Sequence, residues 1–230
     1  MKILEVKELD VDISGVRVLE GINFNVEEGE VLAVIGPNGA GKTVLLRALL
    51  GLIPSSGAVN WAPSVTKGYV PQRLDIETDV PLTVKEFFRL RGASATDERI
   101  KRCLDFVQLD PKILRSGFGE ISVGQRQRVL VAWAVLSGPD VLLFDEPTAD
   151  IDIAGQESIY NMLRILQENM KLTIILVSHD LNVVYRHAHT VLCLNRKNLC
   201  IGAPREVLTT EQLQGLYGGE KAFFQHKHGQ

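Results

Sequence analysis

The eight residues GPNGAGKT, Gly36 to Thr43, constrain this chain more than any other stretch. They follow the apolar run VLAVIG and precede KTVLLRALLGL, a helical pattern that meets Gly51. The pattern G-x-x-x-x-G-K-[ST] between a strand and a helix is a phosphate-binding loop. The backbone of Gly36, Pro37, Asn38, Gly39, Ala40 and Gly41 curls so that its N–H groups face phosphate oxygens, and the helix N-terminus adds partial positive charge. Lys42 is expected to reach the β- and γ-phosphates, and the Thr43 hydroxyl to ligate Mg²⁺. A glycine-rich turn is the plain alternative, but the flanking strand and helix argue against it. The loop implies a nucleoside triphosphate without naming the base.

VLLFDEPT supplies a second half. Its apolar residues put Asp145 at a strand end, where open α/β sheets place their ligands. Asp145 suits a Mg²⁺ shell, and Glu146 stands next to it to polarise an attacking water. Acidic residues also cap helices, yet beside a phosphate loop the catalytic reading is stronger. Gln72 in YVPQ and His179 in LVSHD end apolar runs as well. Gln72 reads as an amide that touches Mg²⁺ or water near the γ-phosphate. His179 reads as a partner of the γ-phosphate or as the group that orients the water. Alone, each would be a loop amide or a structural histidine before the N-cap Asp180. They gain weight as a set.

Strand signals are unevenly spread. KILEVKELDVDI and VLEGINFNV alternate as antiparallel strands do. From residue 75 to 130 helical signals replace them. Thr83-x-x-Glu86 is a capping box, and Thr96 caps a segment with Ile100, Leu104 and Val107 on one face. Strands return in VLLFDE and LTIILVSHD, with the helix QESIYNMLRILQEN between them, which implies a right-handed crossover and parallel pairing. A hairpin, TVLCLNRKNLCIGA, and two short helices finish the chain. The expected organisation is one α/β domain over residues 1–230. Residues 1–74 and 131–230 form a P-loop NTPase core with a mostly parallel sheet and an N-terminal antiparallel β subdomain. Residues 75–130 form an inserted helical subdomain.

Composition narrows the partners. A net charge of −3 provides no broad basic face, so nucleic acid is not expected. Cys103, Cys193 and Cys200 contain no Cys-x-x-Cys pair, which points to reduced thiols rather than a metal knuckle or disulfide framework. The charged start MKILEVKELD is no signal peptide, and no apolar run reaches the ~20 residues that span a bilayer. Any membrane role is expected to come through a partner.

A second helix start also looks suited to an anion. In EISVGQRQRV, Ser122 and Gln125 fit a capping box, and the backbone donors there remain free to meet a phosphate. The order phosphate loop, Gln72, ISVGQ, VLLFDE, TADID, His179 resembles that of ATP-binding-cassette ATPases over nearly the whole chain. The resemblance implies that two subunits pack head to tail around two ATP molecules. Ser122, Gly124 and Gln125 of one subunit would then clamp the nucleotide held by the other, and Asp152 in TADID would lie on the crossing loop. It also implies a membrane permease docked on the helical subdomain, an extracytoplasmic solute-binding protein, and a peripheral place on the cytoplasmic face of the cell membrane.

Two positions depart from the family pattern. Val123 stands where the signature usually has a glycine, which points to altered affinity or rate rather than loss. Near the N-terminus the expected adenine-stacking aromatic is replaced by Ile13, with Val16 and Val18 nearby as apolar substitutes. ATP, rather than GTP, therefore follows from the resemblance alone. Within the family, GYVPQRLDIETDVPLTVKEFF and VSHDLNVVYRHAHTVLCLN resemble the ATPases of zinc and manganese importers. An importer of another solute, such as an iron chelate, is the alternative, as is a soluble cassette protein. A regulatory module that holds ATP without turnover has only Val123 in its favour. His226 and His228 near the end read as solvated tail residues, not as a metal site.

Overall fold

The computed structural model describes residues 1–74, 80–147, 151 and 153–217. Two long strands open the chain, β1 (Lys2–Ile13) and β2 (Val16–Glu27). They are joined by a turn in which Ser14 and Gly15 take positive φ. β3 (Val31–Ile35) then runs into α1 (Lys42–Leu49), while β4 (Ser56–Trp61) returns to pair with β1. β5 (Lys67–Val70) precedes a helical stretch of α2 (Val84–Arg89), α3 (Asp97–Phe106) and α4 (Val123–Val135). β6 (Val141–Asp145), α5 (Ile153–Met170), β7 (Thr173–Val177) and α6 (Leu181–His187) alternate, as crossover units do. β8 (Thr190–Asn195) and β9 (Lys197–Gly202) form a hairpin, and α7 (Pro204–Val207) and α8 (Thr210–Tyr217) follow.

The strands build two sheets. One is antiparallel, in the order β2-β1-β4; the other runs β5-β6-β7-β3-β8-β9 and is parallel except for β9. Every residue of β3, β6 and β7 is buried, as expected of parallel strands covered on both faces. Their carboxyl ends lie side by side, which brings together Gly36, Glu146 and Ser178, the residues that follow them. One face of this sheet shares an apolar cluster with α2, α3, α4 and α5, and the other packs on α1 and the antiparallel sheet. The fold class expected from the sequence is the one observed.

In the helical stretch the caps form as the sequence indicated. Thr83 and Glu86 make a reciprocal capping box, Thr96 caps α3, and Ile100, Leu104 and Val107 are fully buried. Phe87 packs on Phe118 and Trp133, with ring centroids 4.6 and 5.5 Å apart, and Arg91 lies 3.8 Å over the Trp133 ring. Backbone bonds from Val84 to Ser116 and from Phe118 to Leu82 tie the start of α2 to the segment before α4. The last helix runs on to Val135, five residues past 130, because Val131, Ala132, Ala134 and Val135 are buried in the shared cluster.

One expectation is overturned. Cys193 and Cys200 are direct partners in the β8–β9 register, with Cα atoms 4.9 Å apart, and are joined as a disulfide rather than held as two thiols. Hairpin register makes this pair, and register is not visible in cysteine spacing. Cys103 is free and buried, and burial pushes its thiol up to about 11.

Candidate nucleotide site

The phosphate loop leaves β3 and enters α1 through Gly39 and Gly41, whose φ values of 79° and 95° suit glycine. Gly36 is required for a different reason: a Cβ there would meet the Leu194 carbonyl oxygen at 2.0 Å. The loop is thus pressed against the β8 backbone, and the Arg196 amide also bonds the Ala40 carbonyl from that side. Lys42 is only 6 % exposed. Its ammonium donates to the carbonyls of Gly36 (2.9 Å) and Pro37 (3.1 Å) and lies 3.6 Å from Glu146 Oε1.

Glu146 is the hub of the site. Its carboxylate accepts from Gln72 Nε2 at 3.3 Å and lies 4.0 Å from His179 Nδ1. Its φ of 48° is left-handed, which residues with side chains rarely adopt. Such a backbone concentrates at functional sites. Lys42, Gln72, Glu146 and His179 thus converge from four separate segments, as the sequence indicated.

Asp145 is 2 % exposed, and its Oδ1 accepts from the Thr43 hydroxyl at 3.0 Å. Burial raises its carboxyl pKa above the ordinary 3.8, and the Glu146 charge adds to that rise against the lowering bond from Thr43. A buried carboxylate, a hydroxyl and a nearby amide make a hard oxygen donor set, which fits Mg²⁺ chemically.

Two neighbours were not visible in the motifs. The Tyr69 hydroxyl donates to Asp145 Oδ2 at 3.3 Å, and burial pushes it up to about 12. Tyr217, from α8, joins Gly36, Pro37, Asn38, Glu146, His179 and Leu181 around a second cavity at the loop. Tyr69 reaches the site by strand register and Tyr217 by the path of the C-terminal helices, and neither leaves a local signal.

The cleft over the loop is lined by Asn38, Gly39, Ala40, Gly41, Lys42, Thr43, Val44, Gln72 and Glu146, with Val18 as its apolar wall. Ile13 and Val16 stand 42 % and 58 % exposed at the tip of the β1–β2 hairpin, outside that lining. Ser122, Gly124 and Gln125 are not brought to this cleft. They form the N-terminus of α4, where Ser122 Oγ accepts from the Gln125 amide (3.2 Å) and Gln125 Oε1 from the Ser122 amide (2.9 Å). Val123 there is 53 % exposed, and a Cβ on Gly124 would meet nothing within 4 Å. The chain therefore presents two anion-suited surfaces that do not meet within it. Asp152, His226 and His228 lie outside the described residues.

A family model described as ABC transporter matches residues 19–149, which span the phosphate loop, the α4 start and the Asp145–Glu146 strand end. The chain belongs to the ABC transporter family. It is 36% identical to the zinc import ATP-binding protein ZnuC of Chromohalobacter salexigens over 99% of this chain and 96% of that protein. It is 37% identical to ZnuC of Yersinia pestis bv. Antiqua (strain Antiqua), over 98% of this chain and 90% of that one. Among solved structures, a chain of a transporter assigned to the metal-chelate type, in an inward-facing conformation, superposes with a TM-score of 0.83. It is 30% identical, with 94% of this chain and 88% of that one covered. The protein is thus an ATP-binding, ATP-hydrolysing subunit of an ABC transporter. Cassettes of the family dimerise and pair with membrane permeases. Among the described residues no helix is long and apolar enough to cross a membrane.

Proposed function

We propose that this cassette drives import of a divalent metal, zinc or manganese, through a membrane permease. The observation that carries the reading is similarity to zinc-import subunits over nearly the full chain, including stretches outside the nucleotide motifs. In this reading Lys42 and the backbone of Gly36–Thr43 hold the phosphates. Thr43, Asp145 and Gln72 hold Mg²⁺, which neutralises phosphate charge when bound. Glu146 takes the proton of the attacking water, and His179 orients that water against the γ-phosphate.

Two subunits pair head to tail, so Ser122, Gly124 and Gln125 of one close on the ATP held by the other, with Asp152 on the crossing loop. Residues 75–130 act as the docking subdomain and residues 1–74 and 131–230 as the core, with Gln72 at the joint. The assembly sits at the cytoplasmic face of the membrane, served by an extracytoplasmic solute-binding protein. The solved chain of metal-chelate type supports a second reading, import of a chelated metal. Elemental analysis of metal-limited cells with and without the protein separates the two. Zinc or manganese import predicts a fall in that ion, restored by the wild type and not by Lys42→Ala. Unchanged zinc and manganese with a fall in iron would replace it by the chelate reading.

A further inference from the structure

Tyr217 ends α8, the last described helix. Leu213, Leu216 and Tyr217 recur at i, i+3 and i+4 and so share one helical face. Leu213 and Leu216 are 7 % and 2 % exposed and pack in a cluster with Ile35, Val191 and Cys193, so α8 is seated on the strand that feeds the phosphate loop. That seating carries Tyr217 into the cavity bounded by Gly36, Pro37, Glu146, His179 and Leu181. Its hydroxyl oxygen is shielded from solvent. Burial raises the phenol above its ordinary value, and the Glu146 charge adds to that rise.

The cleft over the loop is walled by the loop itself, Val18, Gln72 and Glu146. Glu146 is shared between that cleft and the Tyr217 cavity, while His179 lines only the latter. The Glu146 side chain is only 18 % exposed, and the Tyr217 ring is one wall of the cavity on its His179 side, so loss of the ring would admit more water to the carboxylate and weaken its electrostatic contacts.

We propose that Tyr217 is a positioning residue for ATP hydrolysis: seated by α8, its ring walls the cavity on the His179 side of Glu146 and limits the water that reaches that carboxylate. The inference rests on Glu146 as the base. It makes the C-terminal helix part of the hydrolytic apparatus, although no nucleotide motif lies there.

The test uses the full chain with Tyr217→Phe and Tyr217→Leu, measuring kcat and KM for Mg·ATP, binding of a fluorescent ATP analogue, and melting temperature. The Leu variant is expected to lose at least about threefold in kcat and the Phe variant, which keeps the ring, to stay near the wild type, with nucleotide affinity held within about twofold in both. Wild-type kcat in a folded Leu variant overturns the inference. So does a kcat loss that only follows a rise in KM or a drop in melting temperature, since packing alone would do that. Glu146→Gln is measured alongside. Normal turnover there removes the base assignment, whereas its loss together with wild-type kcat in the folded Leu variant removes only the present inference.

Discussion

At the scale of single residues, the two glycines that matter most call for opposite predictions. Gly36 has the Leu194 carbonyl where a Cβ would sit, at 2.0 Å, and neither partner is a flexible side chain. Gly36→Ala should force the β3–β8 backbones apart and cost about 2 kcal/mol or more, with ATP binding lost alongside. A thermal melt and a nucleotide titration check both. Gly124 has open space around it and lies in the first turn of α4. Gly124→Ala should keep or slightly raise the melting temperature, because alanine is the better helix former by about 1 kcal/mol. If its ATPase activity also matches the wild type, the surface at Gly124 has no part in the clamp; a fall in activity is expected. His187 bears on pH. Burial holds its imidazole below the ordinary 6.5, and Arg164 and Arg186 add to the effect, each paired with a carboxylate, Glu168 and Glu157. The unfolded chain therefore takes up the proton first, so stability declines as pH falls below the unfolded value. Between about pH 7.5 and 5.5, His187→Gln should lose less melting temperature than the wild type.

At the scale of elements, α4 carries two duties at one end. Its capping box stabilises the helix, and the same hydroxyl is the proposed contact to a γ-phosphate. Ser122→Asp separates them. Aspartate caps as well as serine and adds favourable charge at a helix N-terminus, so the fold should melt at or above the wild-type temperature. The same carboxylate would repel a γ-phosphate, and ATP-driven pairing of subunits should disappear. Normal pairing in a stable Ser122→Asp protein would leave Ser122 as a cap alone. Local elements of this kind were legible in the sequence. The phosphate loop, the acids ending β6 and both capping boxes depend on residues a few positions apart, and so did the alternation of β1 and β2. What stayed hidden depends on register and path. SGAVNW, the stretch that forms β4, has no run of its own to announce it and becomes a strand by pairing with β1. Cys193 meets Cys200 through the offset of one hairpin. Tyr69 and Tyr217 reach the site from a neighbouring strand and from the last helices. Val18 rather than Ile13 walls the cleft, because the tip of the β1–β2 hairpin projects beyond it.

At the scale of the whole molecule, the chain holds one nucleotide surface and the counterpart of another, kept apart by its own fold. A twofold arrangement would resolve this: the same patch on two copies is self-complementary, and each pairing would complete two sites at once. The phosphates would then be most of what attracts one α4 N-terminus to the opposite loop. Association would then depend on ATP, since a ligand held more tightly by the pair than by the single subunit stabilises the pair. Hydrolysis removes the γ-phosphate and with it that attraction, so the wild type should hold the paired state only briefly. Glu146→Gln changes a carboxylate to an amide of the same shape. It leaves Lys42 free of its 3.6 Å partner charge and available to phosphate, and it removes the base. The variant is expected to run as a dimer with Mg·ATP and as a monomer without it, by size exclusion with light scattering. Lys42→Ala, lacking the phosphate contact, should stay monomeric in both conditions. A Glu146→Gln protein that binds ATP to saturation yet stays monomeric would sink the head-to-tail arrangement, because the two anion-suited surfaces would then be satisfied separately.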